Sequence, residues 1–168
     1  MKKLLSCAVL LSILVLNLSA GCGSKTEAAQ PDNFQSLIGK WEAIRFVYEI
    51  VKQDGSEIAT GTELKSKGNV IIWEFFSDGR LVATQDGKSR EVRWELKVKR
   101  LNGVNIDVGE LKIIGTQEKQ LAETLGQSSD LTYAIETSSE AKIMSLRVDA
   151  TKIGPYKQNT LIYTYHKL

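Results

Sequence analysis

Three Asx-Gly pairs, Asp78-Gly79, Asp86-Gly87 and Asn102-Gly103, each lie between runs rich in β-branched and aromatic residues. Such a pair is the strongest short-range hairpin signal, because both turn residues need positive φ, which Asn, Asp and Gly adopt at least cost. Three in succession predict a meander of antiparallel strands. Between the second and third pairs, Val92, Trp94, Leu96 and Val98 alternate with Glu91, Arg93, Glu95, Lys97 and Lys99. That strand has one dry face and one wet face.

The same reading places strands at about 40–51, 69–76, 79–85, 90–99, 104–114, 131–138, 141–149 and 159–167. Eight strands in up-and-down order predict an all-β, closed antiparallel barrel, an architecture that removes exposed edges and has room inside for side chains or one small ligand. Before the first strand, Pro31 to Gly39 reads as a short N-terminal helix, with Asp32 as N-cap, Gln35 in the capping-box position and Gly39 at the end.

Three stretches break the alternation. In the first strand Trp41 belongs to one face while Ile44, Phe46, Tyr48 and Ile50 belong to the other, and Arg45 and Glu49 share the face of Trp41. A bulge near Ala43 would bring all the apolar side chains inside; without it Arg45 points inward. The second strand is apolar on both faces, with Ile71, Trp73 and Phe75 on one and Val70, Ile72 and Phe76 on the other. Its outer face needs cover, either from a helix over Gln117 to Leu125 that stops at Gly126 or from a partner protein. Finally, Lys52 to Gly68 and Gly115 to Asp130 are long connections after strands one and five. Both fall at the same end of a meander, across one mouth, where access to an interior is controlled. Asp54-Gly55 can close a further hairpin within the first of them.

The chain begins with Lys2 and Lys3, an apolar run from Leu4 to Leu18, and small residues leading to Cys22. This is the layout of a secretory leader over residues 1–21, too short an apolar run to span a bilayer comfortably. Removing it takes two of the 22 basic side chains and none of the 20 acidic ones, so the remainder is formally neutral. A neutral chain with interspersed charges gives no footprint for nucleic acid, and any membrane attachment must come from lipid. Cys7 leaves with the leader, so apart from Cys22 there is no thiol for a disulfide, a nucleophile or a metal site. Residues 22–31 are small and polar and read as a flexible tether, with the domain over residues 32–168.

The residues Leu18-Ser19-Ala20-Gly21-Cys22 resemble a bacterial lipobox, with Ser19 standing where the usual pattern has Leu. The resemblance implies acylation of Cys22, which becomes the mature N-terminus and anchors stably because it carries more than one chain. Gly23 rather than an acidic residue follows Cys22. By the sorting rule of enteric lipoproteins this implies the cell outer membrane, with the domain facing the periplasm. Downstream, Gly39-Lys40-Trp41 after a short helix, the Phe75-Phe76-Ser77-Asp78-Gly79 hairpin and the Tyr-rich last strand are similar to lipocalin-like lipoproteins of the Bacteroidetes type. The likeness covers about Leu37 to Leu168 and makes Gly39 and Trp41 its structural signature. Lipocalins place a basic side chain from the last strand over that tryptophan; the candidates in this chain are Lys167 and Arg147.

Catalytic constellations are missing. There is no G-x-S-x-G elbow, His166 is the single histidine, and no metal-ligand or cofactor pattern is present. Glu42, Glu49 and Glu74 read as solvated strand residues. Trp41, Trp73, Phe75 and Trp94 follow the apolar faces of their strands, and two readings stand: a filled core, or a pocket lined in part by Trp73, Phe75 and Trp94 with Arg45 and Tyr48 as its polar members. Tyr163 and Tyr165 share that ambiguity. The expected function is non-catalytic binding or carriage of a small apolar ligand in the barrel. The alternative is an interaction or structural module of a cell-envelope assembly, using the outer face of the second strand.

Overall fold

Alternation of apolar and polar side chains drives the chain into nine strands: β1 (Gly39–Val51), β2 (Glu57–Glu63), β3 (Ile71–Phe75), β4 (Arg80–Gln85), β5 (Lys88–Arg100), β6 (Ile106–Ile114), β7 (Leu131–Ser138), β8 (Ile143–Asp149) and β9 (Gln158–Lys167). One helix, α1 (Thr116–Thr124), lies between β6 and β7. This computed structural model describes residues 36–100 and 106–168; the leader, Cys22, the tether, the expected helix caps Asp32 and Gln35, and Asn102-Gly103 lie outside them. Among the described residues no helix is long and apolar enough to cross a membrane.

The strands pair in the order β2-β1-β3-β4-β5-β6-β7-β8-β9, and β1 also pairs with β9. Pairing from Trp41 opposite Lys167 to Val51 opposite Gln158 closes an eight-stranded antiparallel barrel of β1 and β3 to β9. The β2 strand stands outside that count. It continues the hairpin at Asp54-Gly55, where the Lys52 amide donates to Ser56 O at 2.8 Å and Gly55 has φ 85°. The outer edge of β1 is thus shared: Gly39 to Glu42 pair with β3, and Arg45 to Val51 pair with β2. The expected loop after strand one is therefore a taller piece of wall.

Two of the three Asx-Gly turns are described, and they differ. Asp86 (φ 49°) and Gly87 (φ 79°) are both left-handed, as a two-residue hairpin requires. At Asp78-Gly79 only the glycine is left-handed (φ 81°). There the loop is longer, closed by the Phe76 amide on Arg80 O at 2.9 Å, and the Asp78 carboxylate instead takes the Arg80 amide and side chain.

The β1 bulge exists. Its register against β9 shifts between Ala43 and Arg45, and the inserted residue, Ile44, returns the apolar side chains to one face. Trp41 and Ala43 face the interior below it, and Phe46, Tyr48 and Ile50 face it above.

The expected helix forms, but it does not cover the outer face of β3. It packs beside β6 and β7 at the end of the barrel. Glu118, Ala122 and Leu125 are its buried stripe, whereas Leu121 is 44% exposed. Leu121 and Leu125 are one turn apart but do not share the buried side: Leu125 is the C-cap, and spacing of four and then three from Glu118 sets the stripe that packs. Gly126 (φ 76°) ends the helix, and Gln127 donates its amide to Ala122 O at 2.8 Å.

Candidate functional site

The two ends of the barrel are built differently. At the base, Trp41 is 1% exposed and its Nε1 donates to Leu37 O at 2.8 Å. Lys167 lies over the indole, with Nζ 5.3 Å from the ring centroid, and donates to Ser36 O at 2.9 Å. Of the two candidate cations it is therefore Lys167 that stacks; Arg147 is on the outer face near Glu49. Burial, together with Lys142, holds the Lys167 ammonium below the usual lysine range. Gly39 has φ 120°, a conformation other residues rarely adopt, and a Cβ there would come within 3.3 Å of Lys167 Cε. Phe75 and Trp94 meet edge to face at 5.4 Å, and Trp94 Nε1 donates to Arg80 O at 2.9 Å and Phe76 O at 3.2 Å. Trp41, Phe75 and Trp94 are the floor; all three are sealed.

Above that floor the packing loosens. Trp73 is only half-buried, and its ring meets Tyr165 at 5.3 Å and Tyr133 at 6.2 Å. On the adjoining wall, where β1 pairs with β9, the cross-strand partners Phe46 and Tyr163 pack at 4.8 Å, with Tyr48 6.5 Å from Phe46. A cavity of about 520 Å³ opens at the rim, lined by Ile71, Trp73, Ala83, Gln85, Arg90 and Gln117 among others. That volume is in the range of small-molecule sites. Arg90 bridges to the helix: it pairs with Glu118 at 2.8 Å and hydrogen-bonds Gln117. Glu118 is 3% exposed, so this contact places a matched charge pair beside the lumen.

The sequence-derived candidates separate accordingly. Tyr48 and Trp73 are on the interior wall near the open end. Phe75 and Trp94 are buried in the base, each 1% exposed. Arg45 is outside the barrel, 54% exposed and 3.5 Å from Glu63, its guanidinium against Gly61. The bulge at Ala43/Arg45 turned it outward, so it cannot orient a ligand in the lumen. Glu42, Glu49 and Glu74 are also outside, facing Lys65, Arg147 and Lys40. His166 is exposed.

Three residues of the site escaped sequence reading. Tyr133 is one, and the alternation Leu131, Tyr133, Ile135, Thr137 was a usable signal. Arg90 and Glu118 are the others, and nothing local marks them as partners. A second concavity, about 450 Å³, lies on the outer wall between Val108 and Ala134, rimmed by Lys97, Glu110, Glu136 and Arg147. It lies outside the barrel and has no aromatic wall, whereas the mouth, although rimmed by Asp86, Lys88 and Arg90, presents the ring of Trp73, which makes it the candidate for a flat apolar molecule.

Tyr133, Tyr163 and Tyr165 are all pushed above the usual tyrosine range, first of all by burial. A phenol whose native pKa is raised holds its proton in the folded state after the unfolded chain has lost it, so its contribution is intact below about pH 10 and stability falls as pH rises beyond that. In an alkaline titration, tyrosinate absorbance from these three is expected to emerge together with loss of the β circular-dichroism signal. Full ionisation of all five tyrosines with the fold intact would contradict it.

The fold and this cavity define a class: a closed eight-stranded antiparallel barrel with a sealed base and an aromatic wall toward the other end. Comparison of the chain with family models, with curated proteins and with solved structures gives no match.

Proposed function

We propose that this protein is a lipocalin-like lipoprotein of the cell outer membrane, anchored through acylated Cys22 with its domain toward the periplasm, and that it binds or carries a small apolar ligand without catalysing a reaction. The observation that carries the binding part is the cavity at the barrel mouth with half-buried Trp73 in its wall. A half-exposed indole in a concave wall gains from being covered, by roughly 25 cal/mol per Å² of apolar surface removed from water. The G-K-W signature under a stacked Lys167 supports the lipocalin-like part, and the leader with its lipobox-like end supports the address.

The test is titration of the soluble domain with a neutral aromatic probe, read by tryptophan fluorescence. Saturable binding is expected, weakened on the order of tenfold by Trp73→Ala, which removes about 1.4 kcal/mol of contact. No saturation in the wild-type protein would end the carrier reading. The address has its own test: mass spectrometry of the membrane fraction is expected to show acyl chains on Cys22 and none after Cys22→Ser, and an unmodified Cys22 would remove it.

A second reading, an interaction module of an envelope assembly, is favoured by one observation. With α1 packed elsewhere, Val70 is 39% exposed and Ile72 half-exposed on the outer face of β3. Pull-down with Ile72→Asp tests that face, and the same partners as wild type would reject it.

A further inference from the structure

The deep interior of the barrel carries unused hydrogen-bonding groups. The indole nitrogens of the floor are satisfied, Trp41 by Leu37 O and Trp94 by Arg80 O. The hydroxyls of Tyr133, Tyr163 and Tyr165 are not: none has a hydrogen-bond partner among the described residues. Tyr133 is 6% exposed and Tyr165 2%. Among the described residues, the side-chain polar atom that is sealed from solvent without a partner is Asn159 Oδ1. The tyrosine oxygens, equally without partners, therefore border space that a water-sized atom can reach.

These three side chains come from neighbouring walls of one interior. Trp73 touches both Tyr133 and Tyr165, and Tyr163 lies against Phe46. They are close enough to sense one another, since ionisation of either Tyr133 or Tyr163 would raise Tyr165 further. A buried hydroxyl left unpaired costs free energy comparable to a lost hydrogen bond, so a group that arrives with an acceptor oxygen is favoured there.

We propose that the lumen recognises a neutral, planar carbonyl compound, of aryl-ketone or quinone type, whose oxygen accepts hydrogen bonds from the hydroxyls of Tyr133, Tyr163 and Tyr165. The inference rests on the carrier reading and narrows it. Neutrality follows from the charges at hand: Arg90 beside the lumen is already matched by Glu118 at 2.8 Å, and the tyrosines remain uncharged donors. Asp86 and Lys88 line only the rim of the mouth cavity, and the buried side chains packed around the three tyrosines are apolar. Planarity follows from the walls, since Trp73, Phe46 and Tyr163 present ring surfaces.

Fluorenone, fluorene and fluorene carboxylate share one ring system and differ in the oxygen and the charge. Their dissociation constants would be measured calorimetrically on the wild-type protein and on Tyr133→Phe, Tyr163→Phe and Tyr165→Phe. Each change removes a hydroxyl without a partner, so folding is expected to be unimpaired, which circular dichroism checks. Fluorenone should bind about tenfold more tightly than fluorene, and the gap should shrink about threefold or more in at least two variants, as loss of one or two hydrogen bonds requires. Equal binding of fluorenone and fluorene, or a gap that no variant changes, overturns this inference while leaving a carrier of apolar molecules. Tightest binding of the carboxylate also overturns it and assigns the site to Arg90. If none of the three binds, the carrier reading falls with it.

Discussion

Trp41→Ala is expected to destabilise the domain by about 3–5 kcal/mol, the range for removing a large aromatic side chain from a packed core. The indole is 1% exposed at the base of the barrel, where the structure around it cannot collapse easily. Its neighbours are held by other bonds: β1 pairs Trp41 with both Trp73 and Lys167. Removing the ring also leaves Leu37 O without its donor and Lys167 without the surface on which it stacks. Urea denaturation read by circular dichroism gives the number. Trp41→Phe separates the causes, since it keeps most of the volume and loses the indole N–H, at a cost of roughly 1–3 kcal/mol for a buried acceptor left unpaired. A loss below about 1 kcal/mol for the alanine variant, well under the usual core range, would mean that the base is not closed by this residue.

Much of this architecture was readable because burial acts on alternate residues. The strand over residues 131–138 is buried at Leu131, Tyr133, Ile135 and Thr137 and open between them, a period that only a strand with one dry face produces. The change of phase from Trp41 to Phe46 was readable for the same reason, and it left two solutions, a bulge near Ala43 or an inward Arg45, of which the fold takes the bulge. The failures are equally specific. The β2 sequence, Glu-Ile-Ala-Thr-Gly-Thr-Glu, has one large apolar side chain, Ile58, and that is 39% exposed. This strand is held by backbone pairing to β1 rather than by burial, so hydrophobic pattern could not reveal its full length.

The site was half legible. Side chains that belong to a strand's dry face can be assigned to the interior, which placed Tyr48, Trp73, Phe75 and Trp94 correctly inside. Depth is a different matter. Whether an inward aromatic fills the floor or lines a cavity depends on strand stagger and on where the helix sits, and neither is written in local pattern. Glu118 shows the limit most clearly. A glutamate on a short polar helix reads as solvated, yet here it is 3% exposed because Arg90 of β5 reaches it at 2.8 Å.

The bulge makes the second large prediction. Deleting Ile44 is expected to abolish folding, or to lower stability by more than any single side-chain truncation, because it removes the residue that sets the phase of β1. Without it the strand has two choices. If the base keeps its register, Phe46, Tyr48 and Ile50 turn outward and Arg45, Val47 and Glu49 turn in, since a one-residue shift exchanges the two faces completely. If the upper half keeps its register, Trp41 and Ala43 leave the core, where each is 1% exposed. Either choice exposes large apolar side chains, and the first also buries two charges without partners, which costs several kcal/mol for each. Ile44→Ala is the control, because it keeps the backbone count and shortens a half-buried side chain, with an expected loss of about 1 kcal/mol. Urea midpoints of the two variants decide between phase and packing. A deletion variant that unfolds near the alanine variant would show that β1 tolerates either register, and the claim that one inserted residue holds the aromatic wall inside would then be wrong.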